Sequence, residues 1–384
     1  MIPKILKSNI GLLYIGLGNL IGAIFTGGFW LLIATIQEPE EYGRTNYLVA
    51  IASLASFVAL LGMNTTVTSV IAKGSKKISI QANQLTFISG FVLATLLSLL
   101  SEWYTGLFVL GMVFWMMSSY EFLGKKYYIR YSLFIIGARL SQLVLSLVLY
   151  YILGVSGVVI GFVISFFLFS QPYLLSIRMF TLKFDEVRTH LRFSVHAYFF
   201  NMSNAFLMYF DKLVILPLFG YAVLGNYQIC LQFLLFVGMI PVSLYQYVLS
   251  EESSGVSKAK LRLVGFGISA ILAAFLFTQS HWILQNFFPN FTDSLEALRI
   301  ISIGIIPMMV VWTTNSSFFS RGSSRYVAMG SGIYISTQMA LILLIGSRMG
   351  VSGLALAVDV ALTAQAVFLY ICQIREPRKP SAVT

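Results

Sequence analysis

Four formal charges lie inside stretches otherwise apolar enough to cross a bilayer: Arg139, Asp211, Lys212 and Asp359. A charge at the centre of a membrane helix costs at least about 2.5–3.5 kcal/mol on insertion scales, so each must face a partner, water or an interior cavity. Arginine offers a planar fork that matches phosphate oxygens, and lysine offers a mobile point charge. Arg139 and Lys212 together could therefore carry a phosphate-bearing group through an apolar medium. Asp211 adjoins Lys212, but sequence neighbours on a helix diverge by about 100°, so Asp211 is expected to bridge to another helix. Asp359 shares a helix face with Ser352 and Thr363. It reads either as a coupling group that takes up a proton or cation, or as an ion-pair partner, Arg139 among the candidates.

Polar residues accompany these charges at helical spacing. His196, Asn201, Asn204, Asp211 and Lys212 fall within an arc of about 160° at 100° per residue. Ser132, Arg139 and Ser146 recur every seven residues with Gln142 beside them, and Asn46, Ser53 and Asn64 form a third stripe. The expected substrate path is Arg139 and Lys212, with Asn64, Gln142, Asn201 and Asn204 as polar cavity positions. The competing reading is that the Asn and Ser residues only hydrogen-bond helices together. His196 is read as a hydrogen-bonded packing residue. Trp103 and Trp282 suit an interfacial belt, and Trp30, Trp115 and Trp312 are not read as a sugar-stacking platform.

The elements that must position these groups are membrane helices. Hydrophobic residues make up 58% of the chain and charged residues 10%, with a mean hydropathy of +0.85. Runs of about 20 apolar residues satisfy their own backbone groups as helices, whereas a barrel needs alternating decamers. Twelve candidate spans follow: 10–36, 42–72, 84–100, 106–123, 131–153, 155–175, 191–219, 221–249, 261–279, 295–319, 326–346 and 351–372. The fold class expected is all-α and polytopic.

The net charge of +11 is set by where the basic residues stand. Loops carrying Lys4 and Lys7, Lys73 to Lys77, Lys125 to Arg130, Arg178 to Arg192, Lys258 to Arg262, Arg321 and Arg325, and Arg375 to Lys379 alternate with loops that hold only Arg44, Arg299 and Arg348. The positive-inside rule places both termini in the cytoplasm, and the basic balance reports topology rather than a nucleic-acid partner.

The chain also repeats itself. Arg130-Tyr131 followed by Gly154-Val155-Ser156-Gly157 reappears as Arg325-Tyr326 followed by Gly350-Val351-Ser352-Gly353, and Tyr42-Gly43 is echoed by Leu224-Gly225. An offset of six spans makes the repeats parallel, related by an axis along the membrane normal. Two six-helix bundles around a central cavity, residues 1–183 and 184–384, are the expected organisation.

Three segments carry a family resemblance. Glu38-Pro39-Glu40-Glu41-Tyr42-Gly43 with Tyr47 resembles the Pro-x-Glu-Tyr-Gly turn of Wzx-type polysaccharide flippases. Those flippases handle O-antigen and other lipid-linked oligosaccharides, within the multidrug/oligosaccharidyl-lipid/polysaccharide exporter superfamily. Leu191-Arg192-Phe193 with Asp211-Lys212-Leu213-Val214-Ile215 is similar to that family's Arg-Phe start and Asp-basic pair. Leu123-Gly124-Lys125-Lys126-Tyr127-Tyr128 is similar to its short basic turn. His196 stands where many members carry proline.

The resemblance implies a flippase that moves a polyprenyl-pyrophosphate-linked oligosaccharide from the cytoplasmic to the outer leaflet of the cell membrane by alternating access. The implied partners are the lipid-linked oligosaccharide, membrane lipids and other polysaccharide-assembly proteins, with no nucleic acid and a monomeric state. No cofactor or metal is expected, and coupling to H+ or Na+ stays open. Two alternatives remain: a cation-coupled multidrug exporter of the same superfamily, and an intramembrane polysaccharide-biosynthesis enzyme or non-transporting assembly protein. The sequence holds no metal-ligand cluster, Gly-rich phosphate loop or nucleophile triad, so an enzyme is not expected.

Overall fold

The computed structural model describes residues 4–75, 77–177, 183–253, 259–320 and 323–375. The basic positions Lys76, Arg178, Lys258, Arg321, Arg378 and Lys379 lie outside the described residues. The helices, in chain order, are α1 (Lys4–Ala34), α2 (Pro39–Leu60), α3 (Met63–Ala72), α4 (Lys77–Leu100), α5 (Trp103–Gly124), α6 (Tyr128–Leu153), α7 (Val155–Leu168) and α8 (Gln171–Ile177). They continue as α9 (Asp185–Thr189), α10 (Leu191–Ser253), α11 (Ala259–Phe287), α12 (Leu295–Ile303), α13 (Ile305–Ser320), α14 (Ser324–Leu341) and α15 (Ser347–Arg375). There is no strand among the described residues, and the protein is an all-helical, multi-pass membrane protein.

Nine helical stretches are long and apolar enough to cross a membrane among the described residues. Two of them, at 49 and 51 residues, are of double length and break at Gly220 (φ 82°) and Gly350 (φ 56°). The pair α7 and α8, bent by 62°, supplies one more, so the breaks account for the twelve spans read from the sequence.

Three of those spans are not straight. The second is split into α2 and α3 because Leu61 (φ 50°) and Gly62 (φ 73°) both take left-handed backbone. The sixth bends at Phe169 and Ser170, and the tenth divides at Gly304 into α12 and α13, three residues before Pro307. By contrast, α10 keeps helical backbone through His196 and breaks only at Gly220.

Two compact units emerge. The first comprises residues Met1–Phe29 and Arg44–Val214, and the second Trp30–Gly43 and Ile215–Thr384. In the first unit α5 is buried over most of its length, and Gly106, Gly111 and Gly124 on it admit close neighbours. Small residues at such crossings are how membrane helices approach one another without a hydrophobic driving force.

The second unit contains the first turn of α2, where Pro39 opens the helix and Glu40 and Glu41 follow, a favourable start on steric and dipole grounds. Tyr42 is fully buried there, edge-on to Phe291 at 5.6 Å and to Trp30 at 6.0 Å. One residue on, Gly43 and Gly225 pack reciprocally. A Cβ on Gly43 would strike the Tyr221 carbonyl oxygen, and one on Gly225 would strike that of Pro39. Pro39 and Gly43 stand to α2 as Tyr221 and Gly225 stand to the second half of α10, so this crossing reproduces the sequence echo as a local two-fold.

Many hydroxyls turn back on their own helix. Thr95, Ser203 and Thr278, all on exposed stretches, donate to the carbonyls of Phe91, Phe199 and Ala274 at 2.8–2.9 Å. Others bridge helices: Ser132 donates to the Tyr14 carbonyl of α1 at 2.5 Å, and Ser146 to the Val158 carbonyl of α7 at 3.0 Å. The stripe on either side of Arg139 is thus interhelical adhesive, as the competing reading had it.

Candidate functional site

Arg139 is held on α6 in the first unit, half-buried, by groups that are polar or polarisable but not acidic. Its guanidinium lies over the Trp115 ring of α5 at 4.8 Å, and Nη1 donates to Gln142 Oε1 at 2.7 Å. Gln142 is buried and sits one turn along the same helix. The stem is bounded by α1, where a Cβ on Gly22 would stand 3.5 Å from Arg139 Cγ. Tyr131 and Tyr209 lie within electrostatic reach, and Tyr209 shares a side-chain hydrogen bond with Ser53 of α2. Tyr131 donates to Asn19 Oδ1 at 3.1 Å. Among the described residues no carboxylate pairs with Arg139. A guanidinium has five donors, and one hydrogen bond to Gln142 and a ring face leave capacity for an anion.

Lys212 is in a different state. Its Nζ donates to Asp211 Oδ1 at 3.2 Å and to the Met208 carbonyl at 2.8 Å, over the Tyr209 ring at 5.9 Å. Asp211 pairs with its sequence neighbour Lys212, although neighbours on a helix diverge by about 100°. Asp211 Oδ1 also accepts the Lys212 backbone N–H at 2.9 Å, and the lysine stem is long enough to fold back along its own helix. Lys212 is buried and charge-paired, so its positive field is smaller than the sequence suggests.

The predicted polar positions separate. Asn64, fully buried on α3, accepts from Asn201 Nδ2 at 2.9 Å, and Asn201 also reaches Thr65 Oγ1 at 3.2 Å. Tyr120 of α5 lies beside Asn64. With Thr66 Oγ1 and Ser194 Oγ at 2.9 Å, these contacts fasten α3 to the first half of α10. Asn204 is exposed and donates back to the Phe200 carbonyl at 3.1 Å.

His196 is exposed rather than packed. The α10 face toward α3 carries Ser194, Ala197 and Asn201, and His196 lies about 200° from Ser194 at 100° per residue. Asp359, in the second unit on α15, is 8% exposed, and its Oδ1 has no hydrogen-bond partner among the described residues. It faces the break between α12 and α13, where a Cβ on Gly304 would collide with that oxygen. Its backbone carbonyl accepts Thr363 Oγ1 at 2.7 Å, and it belongs to no ion pair among the described residues.

Trp115, Tyr131 and Tyr209 were not singled out by sequence reasoning. Trp115 is 6% exposed and meets a cation, whereas Trp103 and Trp282 are 61% and 55% exposed, as an interfacial belt requires. The signal that separates them is context. Trp115 lies in the middle of α5, whereas Trp103 opens that helix and Trp282 lies near the end of α11.

No family model and no curated protein matches the chain. Solved structures do. The inward closed conformation of a lipid II flippase, MurJ, matches with a TM-score of 0.78 at 13% identity, covering 94% of this chain and 87% of that one. An inward-facing multidrug resistance transporter of the MATE family, in the MOP superfamily, matches with a TM-score of 0.67 at 15% identity, covering 93% of each chain. A eukaryotic MATE transporter matches with a TM-score of 0.54 at 16% identity, covering 97% of this chain and 96% of that one. At such identities the likeness speaks for architecture alone: the chain shares the fold of these structures.

Proposed function

We propose that the chain is a flippase that carries a polyprenyl-pyrophosphate-linked oligosaccharide from the cytoplasmic to the outer leaflet by alternating access, with the repeat halves 1–183 and 184–384 as its lobes and both termini cytoplasmic. The observation that supports this reading is Arg139, a guanidinium inside a membrane protein held by Trp115 and Gln142 with no acidic partner among the described residues. Its free donors suit the oxygens of a pyrophosphate, and the aromatic face keeps the fork oriented. Lys212 contributes when the arriving anion competes with Asp211 for its ammonium. Asn64 and Asn201 hold α3 to α10 beside the path, and Asn204 stands at its exposed margin. The polyprenyl tail stays in lipid.

One observation favours a second reading. The unpartnered Oδ1 of Asp359 is chemistry for a proton or a cation such as Na+, and a cation-coupled exporter would use it.

Complementation of a flippase-deficient strain, with membrane levels checked, tests the choice. Charge-assisted bonds are worth roughly 1.5–3 kcal/mol, so Arg139→Ala lowers flipping by roughly tenfold or more. Arg139→Lys restores only part of it, because lysine lacks the planar fork. Full activity in Arg139→Ala, or efflux of cationic dyes that depends on Asp359 and not on Arg139, would remove the flippase reading.

A further inference from the structure

A mostly apolar pocket of about 450 Å³ lies within the first unit and shares no lining residue with the surroundings of Arg139. It opens where α3 and α5 end and α4 begins, against α8. Ile71, Ile80 and Leu175 form an apolar wall, and Ser79, Glu121 and Lys125 form a polar floor. The floor is a built arrangement. Ser79 Oγ donates to Glu121 Oε2 at 2.8 Å, Lys125 Nζ pairs with Glu121 Oε1, and both Ser79 and Glu121 are more than nine-tenths buried.

Because both carboxylate oxygens are engaged, Glu121 acts as an anchor for the ammonium and not as an open acceptor. Lys125 has three donors, and its side chain is 37% exposed, so it offers the remainder at the mouth. Lys73 and Lys77 on the α3–α4 junction and Lys126 beside Lys125 are exposed in the adjoining junctions. The wall continues outward as apolar surface: Leu175 is 50% and Leu174 43% exposed on α8, which leaves α7 at 62°.

Apolar wall, ion-paired floor with spare ammonium donors, and basic rim together match an amphiphile with an acyl chain and a phosphate. We infer that this cavity binds the phosphate headgroup and first acyl carbons of an anionic membrane phospholipid, at a site apart from the transport path. Lys125 takes the phosphate oxygens, Lys77 and Lys126 supply surface attraction, and Ile71, Ile80 and Leu175 take the chain. The binding does not depend on what the protein transports.

Native mass spectrometry of the full chain with phosphatidylglycerol, phosphatidylcholine or inorganic phosphate tests it. The wild type retains phosphatidylglycerol over phosphatidylcholine. A lysine near an anionic lipid is worth about 1 kcal/mol, so Lys125→Ala reduces that retention roughly fivefold, and Lys125→Arg restores most of it. Ile80→Trp, which fills the cavity and leaves the Glu121–Lys125 pair alone, reduces it as well, so the outcome does not hang on one variant folding. Equal retention of the two lipids, or wild-type retention in both Lys125→Ala and Ile80→Trp, would overturn the assignment. Inorganic phosphate binding as well as the lipid would overturn the lipid part of it.

Discussion

The two halves of the chain share a frame and differ in what they mount on it. Gly154 (φ 62°, ψ −141°) and Gly350 (φ 56°, ψ −132°) adopt the same backbone conformation 196 residues apart. Beyond them, Gly157 packs on the Leu149 carbonyl and Gly353 on that of Ile345, again at matching positions. Gln142 and Gln338, also 196 apart, are both buried, yet Gln142 accepts from Arg139 and Gln338 donates to the Tyr227 hydroxyl at 3.3 Å. At the same offset, Arg139 corresponds to Ile335 and Asp359 to Val163. The turns that fix helix directions therefore match between the two halves, whereas Arg139 and Asp359 have no charged counterpart at the same offset. The cation of the first unit is surrounded by donors, acceptors and rings. The carboxylate of the second keeps an unsatisfied oxygen beside a helix break.

The largest effect should come from the glycines shared between repeats. Gly43→Leu or Gly225→Leu forces side-chain atoms onto a facing carbonyl, which should cost about 3 kcal/mol or more; loss of a monodisperse detergent-extracted protein is the readout. Gly43→Ala and Gly225→Ala should each cost less, and the double variant should cost less than the sum, because one helix shift relieves both collisions. Strict additivity would break the reciprocal picture.

A smaller, paired effect is expected from Gly154→Ala and Gly350→Ala. Neither position has a neighbour within 4 Å of a new Cβ, so the penalty is backbone strain alone, about 1–3 kcal/mol. The two melting temperatures should fall alike, and a fall in only one would separate the repeats energetically. The smallest expected change sharpens the contrast in function. Gln142→Ala and Gln338→Ala should each cost about 1 kcal/mol in stability, but only Gln142→Ala should also lower transport, since it frees the Arg139 fork to rotate.

The helices, the charges within them and the Gly-Val-Ser-Gly turns could be read from sequence because each has a local signature. Hydropathy and positive φ at glycine do not need distant partners. The break at Leu61 could not be read, since a leucine with φ 50° is held there by its surroundings and not by its own preference. The bend at Phe169–Ser170, by contrast, has a local signal in Pro172, which cannot donate to the Leu168 carbonyl where α7 ends. Trp115 illustrates a general blindness. An aromatic on an apolar helix has the same hydropathy whether it meets lipid or a guanidinium, and only packing distinguishes the two. The Asp211–Lys212 pair was missed because helical angle describes where Cβ points, not where a four-carbon stem can return.

The back-bonded hydroxyls of Thr95, Ser203 and Thr278 bear on how the protein is made. Each of these side chains is satisfied within its own helix, so at these three positions α4, α10 and α11 carry no bare donor into hydrocarbon before the helices meet. Lateral association can then follow as a later step, driven by the glycine crossings and the serine bridges.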